Sequence, residues 1–328
     1  MSRRPPAPTR GAPVTWVVGA GGLLGTAVTD EVRRRAQGPV MTQQVSWGTA
    51  DADGDLAGGL DRLTELAGRP GTLWRVLWCA GAGVTGTSVA ELDFEVKTFT
   101  EFLSGLADRR DVIGPGTVFL ASSAGGLYAG GATGGPQSEA DAPVPISAYG
   151  YAKLAGESAA RDYAAATGDV VQIGRIANLY GPGQNLQKAQ GLISALCHGS
   201  ITRQPVSVYV SLDTIRDYLF VDDCAAMIAD MIEPARPPDF TTGQALVKVL
   251  ASQQGTTIAS LIAVCRQVFK RAPLIALGRS ANARFQVRDL RFSSVIWPAI
   301  DRRALTPLPV GIAATAAGIL RATQRATA

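Results

Sequence analysis

The sequence predicts an α/β protein, a doubly wound parallel sheet with a smaller C-terminal lobe interleaved with it. Three observations carry this expectation. From residue 14 to about residue 180, short apolar runs alternate with stretches of helical period. The apolar runs show no in–out alternation, as expected of strands covered on both faces. The first run passes into the first helical stretch through a cluster of glycines, GAGGLLG.

The first unit, VTWVVGAGGLLGTAVTDEVRRRA, reads as strand, glycine turn and helix. Trp16, Val17 and Val18 form the apolar run, and Leu24, Val28 and Val32 then recur at every fourth residue, the spacing of one helix face. The triplet Arg33, Arg34 and Arg35 reads as a solvated face of that helix. A second strand is expected within PVMTQQVSW, ending at Trp47 or Gly48, and GTADADGDLAGG after it reads as a polar, glycine-rich loop. WRVLWCAGAG is a further strand running into glycines. LDFEVKTFTEFLSGLA has helical spacing at Leu92, Val96, Phe99, Phe102 and Leu106. TVFLASSAGG is a strand entering a small-residue loop, and AYGYAKLAGESAARDYAAATG is a helix closed by Gly168. DVVQIGRIANLYGPG is a strand ended by a Gly-Pro-Gly turn.

Beyond residue 180 the order changes. GLISALCHG reads as a short helix, PVSVYV and RDYLFV as strands, and DDCAAMIADMIE as a helix. A helix is expected from Thr257 to Phe269, and an alanine-rich one near the C-terminus. The expected organisation is a disordered tail over residues 1–13, a dinucleotide-binding domain over 14–180, and a mainly substrate-binding lobe over 181–328.

Composition narrows the function. Hydrophobic residues make up 46% of the 328 residues and charged ones 18%, as in an ordinary soluble enzyme. The net charge is +4, several basic residues lie at the two ends, and no dense basic stripe marks a nucleic-acid surface. The basic, proline-rich start lacks a following apolar core and does not read as a signal peptide. The late apolar run VGIAATAAGIL is too short to span a bilayer. Cys79, Cys197, Cys224 and Cys265 lack metal-ligand spacing and read as buried reduced thiols of a cytoplasmic protein. The single histidine, His198, reads as a helix-end residue, so no metal site is expected.

Gly19, Gly22 and Gly25 give G-x-x-G-x-x-G at the first strand–helix junction. Glycines there allow a tight turn and close approach of a pyrophosphate, and the helix N-terminus offers free N–H groups and partial positive charge. This is a Rossmann-type arrangement for NAD or NADP. An acid ending the second strand would bond the adenosine ribose. No acid stands there. Asp51 and Asp53 follow in the expected loop, and no arginine occupies the strand end, so the choice between NAD and NADP stays open.

SAYGYAKLAGE holds two tyrosines near one lysine. Tyrosine has an ordinary pKa near 10, and work near neutral pH needs a fall of roughly three, worth about 4 kcal/mol. A neighbouring ammonium supplies part of this. Residues four apart share a helix face and residues two apart do not. Tyr149 therefore pairs with Lys153, and Tyr151 turns away. Ser123 lies twenty-six residues before Tyr149, on the loop after the preceding strand.

The glycine turn, the serine and Tyr-x-x-x-Lys together resemble the short-chain dehydrogenase/reductase superfamily. RIANLYGPGQN resembles the R-x-x-N-x-Y-G-P segment of its extended branch, the NAD-dependent epimerase/dehydratase family, and RDYLFVDDCA resembles that family's R-D-[FY]-x-x-V-x-D segment. AGAGVTGTS is similar to a glycine-containing loop of the family's UDP-galactose 4-epimerases. The resemblance spans roughly residues 15–290.

It implies roles. Tyr149 would be the acid–base on a sugar hydroxyl. Lys153 would lower its pKa and hold the nicotinamide ribose, and Ser123 would bond the reacting oxygen. Gly19, Gly22, Leu23, Leu24 and Gly25, with Ala80, Gly81 and Ile176, would line the cofactor. Asn178 and Arg216 would meet a substrate diphosphate, and Arg279, ten residues before Asp289, would be a second phosphate arginine. For Arg216 an ion pair with Asp217 or Asp213 is the structural alternative.

Departures fall around the expected substrate pocket. Ala124 and Gly125 follow Ser123 where the family's dehydratases carry acids, which disfavours elimination. Glu95 stands in place of a family asparagine, Gly83 in place of a galactose-epimerase lysine, and VSLDTI replaces the usual glycine-rich turn before Arg216. The expectation is a 4-epimerase of a nucleotide-linked sugar, working as a homodimer with no nucleic-acid or membrane partner. The alternatives are a ketoreductase on a keto sugar or other carbonyl, and a non-catalytic dinucleotide sensor.

Overall fold

The computed structural model describes residues 12–131, 134–186, 191–233, 243–278 and 287–327. In chain order the elements of the first half are β1 (Val14–Val18), α1 (Leu23–Arg34), β2 (Val40–Thr42), α2 (Ala52–Ala67), β3 (Trp74–Trp78), α3 (Val89–Ala107), α4 (Arg110–Ile113), β4 (Thr117–Ser123), α5 (Ala124–Leu127), α6 (Ala148–Thr167), β5 (Val170–Ile176) and β6 (Asn178–Tyr180). The second half adds α7 (Leu192–Thr202), β7 (Val206–Val208), β8 (Ile215–Phe220), α8 (Val221–Met231), β9 (Ala245–Leu250), β10 (Gly255–Thr257), α9 (Ile258–Phe269), β11 (Ile275–Leu277), β12 (Asp289–Leu290), α10 (Pro298–Asp301) and α11 (Leu308–Thr327).

Six strands form one parallel sheet in the order β2-β1-β3-β4-β5-β9. The chain winds outward from β1 to β2, then crosses back to β3 on the other side. That reversal is a topological switch point, where such sheets open a crevice beyond the strand C-termini. Compared with the three-two-one order of dinucleotide folds, no strand lies beyond β2 among the described residues. The chain passes through α2 directly into β3.

Both faces of the sheet are covered, which explains why β1, β3 and β5 are buried at every residue. On one face α2, α3 and α6 bury Trp16, Leu60, Phe102 and Leu106. On the other, α1 and α8 bury Val17, Leu24, Val28 and Ile228. Each such side chain contributes about 1.5–3 kcal/mol by leaving water. β9 comes from the C-terminal half yet completes the sheet against β5. The smaller lobe centres on β8, paired with β6, β10 and β12, and packs α7, α9 and α11 around Leu196, Leu261 and Ile312. Among the described residues no helix is long and apolar enough to cross a membrane.

Three expectations are corrected. The stretch GTADADGDLAGG is no loop beyond Asp51; it forms the first turns of α2, with Asp53 and Asp55 at its positive end. Of its glycines Gly59 serves packing, since a Cβ there would stand 2.4 Å from the Trp16 ring. β2 ends at Thr42 rather than near Trp47, because the chain then folds onto α2: the Gln43 amide donates to the Asp55 carbonyl, and the Asp55 carboxylate accepts from the Ser46 N–H at 2.8 Å. The arginine triplet is not one solvated face. Arg34 is exposed and pairs with Glu31, while Arg35 bridges Glu31 and Asp230 of α8.

Candidate active site

The loops after β1 and β3 meet at the switch point. Gly19 has φ +84°, a backbone state that favours glycine, and a Cβ on it would lie 2.7 Å from Ala80 Cα. A Cβ on Gly25 would lie 2.0 Å from the Gly19 carbonyl oxygen. The glycines are thus required by close packing of turn and helix. α1 starts at Leu23 with no side-chain cap and no acid in its first turn. The N–H groups of Leu23, Leu24 and Gly25 have no partner inside the helix, and a Cβ on Gly21 would meet nothing within 4 Å. A bare, positive helix end beside open space fits the pyrophosphate of a dinucleotide.

A cavity of about 1210 Å³ runs from this turn past β2 to α6. Gly19 and Gly22, Ala80 and Gly81, and Tyr149 and Lys153 all line it. Leu23, Leu24, Gly25 and Ile176 do not line it, and the Leu24 and Ile176 side chains pack into the α1–α8 core instead. Any contact of these two with a cofactor would have to use backbone.

α6 is capped by Ser147, whose hydroxyl accepts from the Gly150 N–H at 3.2 Å. This cap sets the helix start so that Tyr149 falls in the first turn and Lys153 one turn on. Lys153 Nζ stands 5.6 Å from the Tyr149 ring centre, and Tyr151 is 61% exposed. Ser123 ends β4, and its Oγ accepts from the Gly126 N–H at 3.1 Å. A Cβ built on Gly126 would lie 2.9 Å from the Tyr149 ring and 3.4 Å from Ser123 Oγ. The serine, tyrosine and lysine are brought together.

Glu95 of α3 joins them. One of its carboxylate oxygens accepts from the N–H groups of Ala82 and Gly83, both at 2.7 Å. The other lies 3.8 Å from where a Gly81 Cβ would stand, a point 3.2 Å from Lys153 Nζ. Glu95 was legible only as a departure from the family asparagine, because its contacts depend on a loop remote from α3. Behind the site, Glu157 is fully buried on α6. It accepts from Arg175 at 2.9 and 2.7 Å, from Ser122 at 2.8 Å and from Arg161 at 3.0 Å. Arg175 also donates to the Tyr128 hydroxyl at 2.5 Å.

The expected diphosphate residues do not line this cavity. The Asn178 amide donates to the Asp217 carbonyl at 3.0 Å. Arg216 is buried on β8 and donates to the Ile215 carbonyl; burial pulls its pKa below the ordinary value, with Tyr218 and Asp289 opposing. The carboxylates considered for Arg216 are engaged elsewhere, Asp213 with Arg288 and Asp217 with Ser252. Arg279 lies outside the described residues. Cys79 lines the cavity, and burial pushes its thiol up to about 12, so it offers no thiolate near neutral pH. His198 sits within the last turns of α7, where its carbonyl accepts from the Thr202 hydroxyl.

Asp217 yields a test of the lobe. Burial raises its carboxyl to about 6, against the pull of hydrogen bonds from Ser252 and the following backbone. A folded pKa above the unfolded one means the native state holds the extra proton, so stability falls as pH rises from about 4 to about 6. Asp217→Asn is expected to remove that fall, of order 2 kcal/mol. Thermal melts of both proteins at pH 4 and pH 7 check this, and parallel pH profiles would contradict it.

A switch-point crevice, a bare helix end and a Tyr149–Lys153 pair lining one cavity, with Ser123 beside the tyrosine ring although only Ser122 lines the cavity, define the short-chain dehydrogenase/reductase class of dinucleotide folds. The pattern of the "NAD dependent epimerase/dehydratase family" matches residues 96–258, about half of the chain. The chain belongs to this family. It is 30% identical over 125 residues to a dTDP-L-rhamnose 4-epimerase of Burkholderia thailandensis, covering 34% of each chain. It is 33% identical over 107 residues to a dTDP-4-dehydro-6-deoxyglucose reductase of Escherichia coli, covering 32% of this chain and 33% of that one. The chain spans about a third of the length of the curated relatives it matches. In fold it is similar to a UDP-glucose 4-epimerase of Thermotoga maritima solved with UDP-glucose, with TM-score 0.77, 20% identity and coverage of 94% of this chain and 99% of that one.

Proposed function

We propose that the protein is an NAD(P)-dependent epimerase acting at C4 of a nucleotide-linked sugar, with Tyr149 as acid–base. The observation that carries this is the convergence of Tyr149 and Lys153 on the cavity that starts at the bare end of α1, with Ser123 held beside the Tyr149 ring at its border. The bound nicotinamide would supply a hydride acceptor and donor. Tyr149 Oη would take the proton of the C4 hydroxyl and return it to the ketone oxygen after the sugar has turned over. Ser123 Oγ would hold that oxygen by a hydrogen bond. Lys153 would place its charge beside the tyrosine and the ribose. Ala124, buried, and Gly125 after Ser123 provide no acid for elimination. A homodimer through α6 accompanies this reading, since the outer face of that helix presents the small residues Ala155 and Ser158.

A ketoreductase is the second reading. The engaged Asn178 amide and an Arg216 outside the cavity lining favour a substrate not gripped by its diphosphate, and one curated relative is named a reductase. Incubation with dTDP- and UDP-linked hexoses, followed by NMR, separates the two. Interconversion of C4 epimers without net cofactor change is expected. Net oxidation of NADPH by a keto sugar with no interconversion would establish the reductase instead, and dinucleotide binding with neither reaction would leave a sensor.

A further inference from the structure

The end of the cavity beside β2 lacks the acid that dinucleotide folds use on an adenosine 2′-hydroxyl. β2 stops at Thr42, and the wall continues with Gln43, Gln44 and Val45. Asp51 and Asp53 belong to the start of α2 and do not line the cavity, and Asp55 is occupied by the Ser46 N–H.

A cation stands there instead, and it comes from an unexpected element. Arg33, next to last in α1, lines this end of the cavity. Its side chain is exposed and makes no hydrogen bond or ion pair among the described residues, while Arg34 and Arg35 beside it are both paired. Asp30, nearly one turn earlier, also lines the cavity, but it stands close enough to Asp222 of α8 to help raise that carboxyl. Arg33 is the one arginine among the described residues that line the cavity, which Thr42, Gln43 and Gln44 also line. A guanidinium offers a planar fork of donors to a phosphate. A neutral amide wall imposes none of the repulsion that a carboxylate there would.

We propose that this end is a seat for an adenosine 2′-phosphate, that the protein prefers NADP(H) to NAD(H), and that Arg33 sets the preference. The proposal rests on the reading of the cavity as a dinucleotide site. Trp47, 42% exposed, and Trp78 both line the cavity, so quenching of tryptophan fluorescence reports binding without turnover.

Titration of the full chain with NADP+, NAD+, 2′,5′-ADP and 5′-AMP tests it. NADP+ is expected to bind at least about tenfold tighter than NAD+, the scale of one hydrogen-bonded contact to a charged group. The same order is expected for 2′,5′-ADP over 5′-AMP. Arg33→Ser should erase most of the preference and leave NAD+ affinity within about threefold, and Thr42→Asp should reverse it. Tighter binding of NAD+, or a ratio unchanged in Arg33→Ser, would overturn the proposal. If neither dinucleotide binds, the reading of the cavity itself fails, an outcome distinct from a lost preference.

Discussion

Tyr149→Phe is expected to lower turnover by two to four orders of magnitude while dinucleotide affinity stays within about threefold. The scale is that of a positioned general acid–base. The phenyl ring keeps the packing against Gly126 and Gly83 that holds the tyrosine ring, so only the hydroxyl is lost. The measurement is steady-state turnover with whichever nucleotide sugar proves active, beside a fluorescence titration with dinucleotide. Full activity in the phenylalanine protein would remove Tyr149 from the chemistry. A parallel collapse of binding would recast it as a cofactor ligand. Ser123→Ala, judged by the same pair of measurements, should cost less, because the serine only steadies an oxygen that Tyr149 protonates.

Glu157→Ala carries the largest expected effect on stability. It would leave the guanidinium of Arg175, itself buried, without the carboxylate that receives two of its hydrogen bonds. Breaking one side of a buried pair costs about 3–5 kcal/mol, or a fall in melting temperature of roughly 4–7 °C for a chain of this size. Glu157→Gln keeps an acceptor for Ser122 and should lose less. The damage should also reach the site, because Glu157 lies one turn beyond Lys153 on α6 and fixes Ser122 beside Ser123. A melting temperature unchanged in the alanine protein would show that Arg175 finds other partners.

Much of the fold is legible in the sequence, for a physical reason. The glycine turn, the Tyr149–Lys153 pair and the helix over residues 258–269 depend on spacing within a few residues, and period and capping carry that information locally. The start of α2 is not legible in the sequence, because its glycines depress helix propensity. What holds it is the close approach of Gly59 to Trp16, a contact between elements. Arg33 and Glu95 were visible as letters but not as cavity groups. Their places depend on where α1 ends relative to β2, and on which loop α3 faces. Asn178 and Arg216 show the converse. Their motifs stand in the expected order, yet their side chains are engaged in the smaller lobe and do not line the cavity.

That no described strand lies beyond β2 has a consequence for strand addition. β2 is the free margin of the sheet, and it is only three residues long. Exposed margins of sheets are templates for strand addition, and their danger grows with length. A foreign strand docking here would find at most a couple of hydrogen bonds before the backbone turns away toward α2. So short a margin thus offers little template for growth by strand addition on this side.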